Sequence, residues 1–505
     1  MNESFLLVIV VIGLFMLIWD CVEVGRNDAA NLINAVFGAR VLTRNTAILV
    51  AGGAVLLGAT FASPVMETAR KGIFNPALLT IEAAMVVYIT AYIVDTVLLH
   101  TYSAFGMPVS TTASLVFELV GASAVVAWLS GISEQVVHWD KVGTVVSAIL
   151  ISIIISGVAG WMMQRMFRGA IREQPATHLR VRQHGPWIAG MMFSGLSWFL
   201  VMKGLKHVTF IKKVREATFE EVGPVIMLLA MWAVYSLIIH FWLIFSKEKG
   251  TRNLFRITAV VGMICLSFAF GQNDLANCAS PGLSSLWLYQ NMEIGTAGAS
   301  KISIPMWALF ACGLLMVVGM RSKNAQRVTR AAVNTGSQYD HVALYAPKWC
   351  RKIGKVFVKD HDPETELAPP PQLDEEGKRV HFDPLRASVI MSVSASVIAL
   401  ASSSGIPVST TYVTFACVIA TGMADGVMTR GDGDRKIGRA IWTVFSWFAG
   451  AAIAMVAAGL VAGIIFKLQY LGLAIGLGSN FLIRFMVSKR SEAHEITFHK
   501  SIPKV

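Results

Sequence analysis

The chain has 505 residues, of which 55% are hydrophobic and only 15% charged, with a mean hydropathy of +0.60. A soluble protein carries about 25% charged residues, so this composition excludes a soluble enzyme and indicates a polytopic membrane protein in a lipid bilayer. The net charge of +12 points to no nucleic-acid partner, because Lys and Arg cluster in loops in the positive-inside pattern and no basic patch is interleaved with aromatics.

The N-terminal stretch MNESFLLVIVVIGLFMLIWD has neither a basic n-region nor a cleavage site. It is expected to form an uncleaved first span, 5–24, with its short tip outside. Further apolar runs fall at 46–63, 77–99, 110–130, 142–166, 187–202, 222–246, 254–270, 305–320, 386–401, 408–428, 437–466 and 467–487. Several are short or interrupted by Gly, Pro or polar residues, so about ten to twelve crossings with some re-entrant pieces are expected. Arg165, Arg168, Arg172, Arg180 and Arg182 place 165–186 on the cytoplasmic side. The six cysteines (Cys21, Cys265, Cys278, Cys312, Cys350 and Cys417) contain no C-x-x-C pair, which indicates neither a disulfide framework nor a zinc site. His100 and His240, near span ends, are expected at the interface.

The chain divides into a first transmembrane repeat (1–186), a connecting transmembrane region (187–250) and a second repeat (251–320 and 386–487). A polar segment (321–385) interrupts the second repeat, and a polar tail (488–505) follows it. Within 321–385 the acidic, Pro-rich run DPETELAPPPQLDEEGKR lacks the apolar surface to fold, so a flexible cytoplasmic loop is expected.

Two elements occur twice. GRNDAAN begins at Gly25 and GQNDLAN at Gly271, 246 positions later; GMPVSTTASLVFELVGAS begins at Gly106 and GIPVSTTYVTFACVIATG at Gly405, 299 positions later. The order is the same in both halves, and the 53 extra residues of the second fit in the polar segment. Repeats with interrupted spans at matching positions point to a transporter's midplane site.

The residue types carry the chemistry. An ionised carboxylate in hydrocarbon costs several kcal/mol, so Asp28 and Asp274 are expected to face a cavity, a partner or a cation. Asn27 and Asn273 adjoin them, and Asn31 and Asn277 follow three positions later, on the same helix face. Carboxylate and amide oxygens are the hard ligands that such cations prefer. Gly25 and Gly271 are expected to let the helix open and free carbonyls as additional ligands; the alternative is a polar helix–helix contact. Pro108 and Pro407 suit the first turn of a helix. The Ser-Thr-Thr after each puts hydroxyls and unpaired N–H groups at a helix N-terminus, which attracts anions; the alternative is a simple Ser/Thr cap. Carboxylates and anion-attracting tips in one site make sense when a cation binds together with the anion. Glu67, Asp95 and Glu118, in or beside apolar spans, are further cation or proton candidates.

These residues resemble those of the PiT family of inorganic phosphate transporters. GRNDAAN and GQNDLAN are similar to its paired signatures, both PVSTT segments to its tips, and SPVMETARKGIF (Ser63–Phe74) to the segment after the first signature, with Glu67 at the acidic position. The resemblance implies an all-α polytopic membrane protein built from two homologous, inverted repeats with broken or re-entrant helices. It implies coupled symport of inorganic phosphate at a midplane site, with Na⁺ (alternatively H⁺) co-transported and no resident cofactor. Phosphate is expected at Ser110, Thr111, Thr112, Ser409, Thr410, Thr411, Asn31 and Asn277, with the hydroxyls sharing in cation ligation. The cation is expected at Asn27, Asp28, Asn273 and Asp274, with the two aspartates as metal ligands if it is sodium. Arg26, Glu67, Asp95 and Glu118 are accessory candidates. A homodimer in a prokaryotic cell membrane is implied. Arg26 and Gln272 replace the small residue common in the family, and Ala113 and Tyr412 stand where a histidine often follows, which favours Na⁺ over a histidine proton relay. Arg26 either steers the anion or snorkels to the interface. Sulfate is the alternative anion and an anion channel the alternative mode. An intramembrane aspartyl protease using Asp28 and Asp274 as a dyad lacks its Gly-x-Gly-Asp pattern.

Overall fold

The computed structural model describes residues 3–62, 66, 72–132, 134–171, 177–205, 209–213, 216, 223–293, 296, 302, 304–339, 341–342, 344–358 and 377–501. The named elements among these residues are all helices, and an isolated bridge joins Phe74 to Val137. In order the helices are α1 (Glu3–Gly38), α2 (Arg44–Ala59), α3 (Ile81–Ala104), α4 (Thr111–Leu129), α5 (Trp139–Ala170), α6 (Thr177–Leu196), α7 (Pro224–Asn291), α8 (Met306–Met320), α9 (Lys323–Thr335), α10 (Lys348–Gly354), α11 (Pro384–Ser403), α12 (Thr410–Ala424), α13 (Gly433–Leu468) and α14 (Tyr470–Ser501). Short polar side chains set many of the starts. Thr43, Thr80, Ser110, Ser322, Asp383 and Ser409 each accept the N–H three residues on, satisfying a donor that the first turn otherwise leaves open.

Among the described residues, eight helices are long and apolar enough to cross a membrane, or nine if the bent pair α8–α9, with its 69° angle, is one span. The sequence suggests more. The difference lies in α7, whose 68 residues count once although the backbone breaks at Lys247 (φ 49°), in the short apolar helices α2 and α12, and in the 187–202 run, which is split between α6 and a π-helical stretch, Ser197–Gly204. Burial separates two layers. The hydrophobic window of α3 is 94% buried, that of α5 only 28%. The exposed side of α5 is a stripe of Ile151, Ile154, Ile155, Val158 and Met162, a surface suited to lipid chains rather than water.

Two helical hairpins form the centre. In the first, α3 turns into α4; in the second, α11 turns into α12. Both turns use the same device. Gly106 (φ 65°) and Gly405 (φ 69°) adopt the left-handed conformation, and the next residue's N–H returns to a carbonyl five back, Met107 to Tyr102 and Ile406 to Ala401. This is a Schellman closure, which a residue without Cβ makes most easily. The hairpins enter from opposite ends of α1. Ile81, at the start of the first, lines a cavity with Glu3 and Leu6; His381 and Phe382, just before the second, both donate backbone N–H groups to Gly38 O.

Three expectations are corrected. The glycines of the repeated motif do not open the helix, since α1 and α7 run through 25–31 and 271–277 without a break. They permit close crossings instead. A Cβ on Gly25 would lie 1.8 Å from Met316 O, and one on Gly319 2.0 Å from Val22 O; Gly271 faces Val55 O at 2.3 Å, and Gly58 faces Phe268 O at 2.0 Å. Each motif helix is therefore held against a neighbour backbone to backbone. Second, Pro108 and Pro407 do not stand in the first helical turn. Each precedes its N-cap serine by two residues, in the non-helical tip.

Third, the 321–385 segment is not a uniform flexible loop. It contains α9, whose buried Ala325, Val328, Thr329, Ala332 and Val333 follow the spacing of an amphipathic helix, and the short α10. Overall polarity conceals that stripe. Most of the acidic run within the segment lies outside the described residues, as does Glu67.

Candidate functional site

The two Asn-Asp motifs and the two hairpin tips meet in one buried centre. Asn27 Nδ2 donates to Val109 O at 2.6 Å, and Val109 N returns a bond to Asn27 Oδ1 at 3.3 Å. In the second half Asn273 Nδ2 donates to Val408 O at 2.6 Å, and Val408 N returns to Asn273 Oδ1 at 3.2 Å. Each asparagine thus clamps the tip of its own half with a two-bond ring that satisfies the exposed backbone of a non-helical segment.

The aspartates reach across. Thr411 Oγ1, from the second tip, donates to Asp28 Oδ1 at 2.8 Å, and Thr111 Oγ1, from the first, donates to Asp274 Oδ1 at 2.8 Å. Asn31 and Asn277 complete each corner. Asn31 Nδ2 donates to Asp28 Oδ1 at 2.8 Å and to Thr411 Oγ1 at 2.9 Å. Asn277 Nδ2 donates to Asp274 Oδ1 at 3.0 Å, to Thr111 Oγ1 at 3.1 Å and to Thr112 Oγ1 at 3.0 Å. The tips also hold one another, through Thr112 Oγ1 to Val408 O at 3.0 Å and Thr411 Oγ1 to Val109 O at 3.2 Å. All of these side chains are at most 3% exposed.

Two groups in this centre have no partner among the described residues: Asp28 Oδ2 and Thr410 Oγ1. A buried polar atom without a partner costs about 1–3 kcal/mol, so these two atoms hold bonding capacity that a bound group would satisfy. The first-turn N–H groups of α4 and α12 add the positive ends of two helix dipoles. Ser110 and Ser409 play a different part from the threonines, their Oγ atoms capping Ala113 N at 3.0 Å and Tyr412 N at 3.2 Å.

The accessory candidates lie elsewhere. Arg26 turns away from Asp28 and pairs with Glu23 at 2.8 Å, while its Nη1 is 3.5 Å from His100 Nδ1. Arg484 of α14 shares the same Glu23 and packs over the Trp19 ring at 4.2 Å. Arg26 therefore belongs to an ion-pair cluster joining α1, α3 and α14, neither at the ion centre nor snorkelling freely. His100 is buried in that cluster, its Nε2 2.9 Å from Ser488 Oγ, which corrects its expected interfacial place; His240 is exposed. Asp95 accepts from Ser114 Oγ at 2.7 Å, and Glu118 is fully buried. All six cysteines are free and buried.

Sequence reasoning missed Val109 and Val408, which act through their backbones, and Trp447, which stacks on Tyr412 at 3.8 Å and donates to Pro108 O at 3.0 Å. It also missed Glu23 and Arg484. A glutamate two residues before the first motif was the available signal for that pair.

The fold and the site define a polytopic membrane transporter with one centre assembled from both halves of its chain. A profile of the phosphate transporter family matches residues 24–332. A Pyrococcus abyssi protein named "putative phosphate permease" is 28% identical over 475 residues, covering 93% of this chain and 99% of its own. A Pyrococcus furiosus protein of the same name is 27% identical over 467 residues, with 92% and 96% covered. A solved structure titled "The sodium-dependent phosphate transporter" superposes with a TM-score of 0.66 at 20% identity, over 92% of this chain and all of that one, which shows a shared fold. The chain belongs to the phosphate transporter family, as the resemblance of its motifs implied, and is an integral membrane transporter rather than an enzyme.

Proposed function

We propose that the protein is a cation-coupled symporter of inorganic phosphate, with Na⁺ as the coupling ion and alternating access at the centre between the two hairpins. The observation that carries the reading is the crossed arrangement of carboxylates and tips. Asp28 and Asp274 repel an anion, while the helix N-termini bearing Thr111, Thr112, Thr410 and Thr411 attract one. Both fit one centre when a cation arrives with the phosphate and neutralises the carboxylates. Asn27, Asp28, Asn273 and Asp274 supply hard oxygen atoms for a cation, and the threonines, Asn31 and Asn277 the donors for phosphate oxygens. Ser110 and Ser409 hold the tips in shape for it.

Na⁺ is preferred on two grounds: the related fold carries a sodium-dependent title, and Ala113 and Tyr412 leave no histidine at the tips. Hairpins opposed along α1 and crossed at their tips suit an inverted-repeat transporter, in which one half moves against the other around a fixed site. A homodimer in a prokaryotic cell membrane accords with the family.

The test is uptake of radiolabelled phosphate by purified protein in liposomes, under an imposed Na⁺ or H⁺ gradient, with sulfate as competitor. Accumulation above the equilibrium level under the Na⁺ gradient is expected, with little inhibition by sulfate. Equilibration without accumulation would make the protein a channel.

A further inference from the structure

One cluster of ionisable groups is not used by the centre described above. Asp20 of α1, Asp95 of α3 and Glu118 of α4 are neighbours on the side of the centre toward the N-terminus of α1. They are 1%, 2% and 0% exposed. Ser114 Oγ donates to Asp95, but both oxygens of Glu118 and one of Asp20 find no hydrogen-bond donor among the described residues. Three ionised carboxylates in that state would be prohibitively costly.

The surrounding charges do not compensate them. Glu23 faces Asp95, Cys278 and Tyr92 face Asp20, and Arg484 is the cation facing Asp20. Arg484 and Arg26 both pair with Glu23. Four acids therefore share two guanidinium groups and the His100 imidazole, 3.6 Å from Glu23, so even with that imidazole charged the buried region needs a further positive charge. No three such side chains converge as metal ligands would, among the described residues.

The duplication supplies a built-in control. At the repeat spacings, the second half carries Leu266, Ser394 and Cys417 where the first carries Asp20, Asp95 and Glu118. All three counterparts are buried, and none is a carboxylic acid. The hairpin and its motif helix therefore fold and pack at this level without any acid. The carboxylates are a property of the first half that the architecture does not require.

We propose that Asp20, Asp95 and Glu118 form a proton-binding site beside the phosphate centre, holding protons in the resting protein and making transport sensitive to pH. Glu118, with both oxygens unpartnered, is its principal proton carrier, and Asp95, fixed by Ser114, is the acceptor beside it. The proposal uses phosphate uptake as its readout and so rests on the function proposed above.

The experiment measures Na⁺-driven phosphate uptake in liposomes with the same pH on both sides, stepped through the neutral and alkaline range. Wild type, Glu118→Gln, Asp95→Asn and Glu118→Cys are compared. Glu118→Cys installs the residue that the second half carries at the matching position, and so remains readable if the glutamine variant fails to fold. Phosphate's own titration is common to all four and cancels in the ratio of variant to wild type. Wild-type uptake is expected to fall by up to about tenfold per pH unit above the site's pKa, with that fall removed in the Glu118 variants and shifted in Asp95→Asn. The infrared band of a buried protonated carboxyl should shrink in the same variants. A wild-type pH profile in both Glu118 variants, or a carboxyl band unchanged by their loss, would overturn the proposal. Absence of Na⁺-driven uptake in the wild type at every pH would instead count against the symport reading.

Discussion

Asn27 closes its ring on Val109 and Asn273 on Val408 with the same 2.6 Å bond, yet the two corners of the centre are not equally satisfied. Thr111 Oγ1 is committed to Asp274, whereas neither its counterpart Thr410 Oγ1 nor Asp28 Oδ2 has a hydrogen bond among the described residues. The matched bonds set the frame, and the mismatch leaves one carboxylate oxygen of Asp28 and the hydroxyl of Thr410 without a hydrogen bond among the described residues. Duplication gives a pair of matched clamps, while small departures from it leave polar atoms whose bonding capacity is unused.

The largest effect is expected from the carboxylates. Asp28→Asn and Asp274→Asn should each lower phosphate uptake by about two orders of magnitude or more, since removing one member of a buried charged network costs about 2–5 kcal/mol. Surface-labelling should show both variants inserted. Near-normal uptake in Asp274→Asn alone would mean that the halves are not equivalent partners.

The glycine crossings come next. Gly25→Ala and Gly271→Ala place a Cβ within 1.8 and 2.3 Å of a carbonyl oxygen, and overpacking of this kind destabilises by about 1–3 kcal/mol or more. Gly53→Ala, with nothing within 4 Å, should be neutral. Thermal unfolding in detergent would rank the three, and a stable Gly25→Ala would show that the crossing on α8 yields easily.

The threonines sharpen the comparison further. Thr411→Val removes a donor to Asp28 and should weaken both the fold and phosphate binding, the latter about tenfold. Thr410→Val removes a hydroxyl that makes no hydrogen bond among the described residues, so it should weaken phosphate binding while leaving thermal stability unchanged. Equal loss of stability in both would contradict the assignment of the free hydroxyl to the ligand.

The last effect, confined to acid pH, concerns the latch on the C-terminal end of α1. His381, which donates its backbone N–H to Gly38 O, has its imidazole pushed down from 6.5 to about 4 by burial and by Arg40, Arg379 and Lys436. It is therefore neutral in the fold but protonates in the released chain below about 6.5. Stability should be complete above that pH and fall as pH drops toward about 4, by up to about 1.4 kcal/mol per unit. Melting curves across this window should show the slope in wild type and a shallower one in His381→Gln.

Much of this was legible in the sequence, because the motifs occur twice and in order. The repeat located Asn27, Asp28, Asn273, Asp274 and the threonines, and the Ser-Thr-Thr runs located two helix starts. Which half each side chain bonds to was not legible. Spacing along one helix places Asn31 beside Asp28, but only the crossing of the hairpins gives Asp28 its Thr411. The glycines misled because a residue without Cβ serves an open helix and a close crossing equally well. Helix α9 was hidden because its apolar stripe is narrow within a strongly basic segment, and Val109 and Val408 because backbone groups leave no signature in residue type.

On the proposed function, two motifs and two tips make one phosphate site. Equilibrium binding of radiolabelled phosphate to the purified protein in saturating Na⁺ tests it most directly. One phosphate per chain is predicted, with Thr111→Val and Thr411→Val each weakening that same single site. Two phosphates per chain, or loss of half the bound phosphate in each variant, would contradict it.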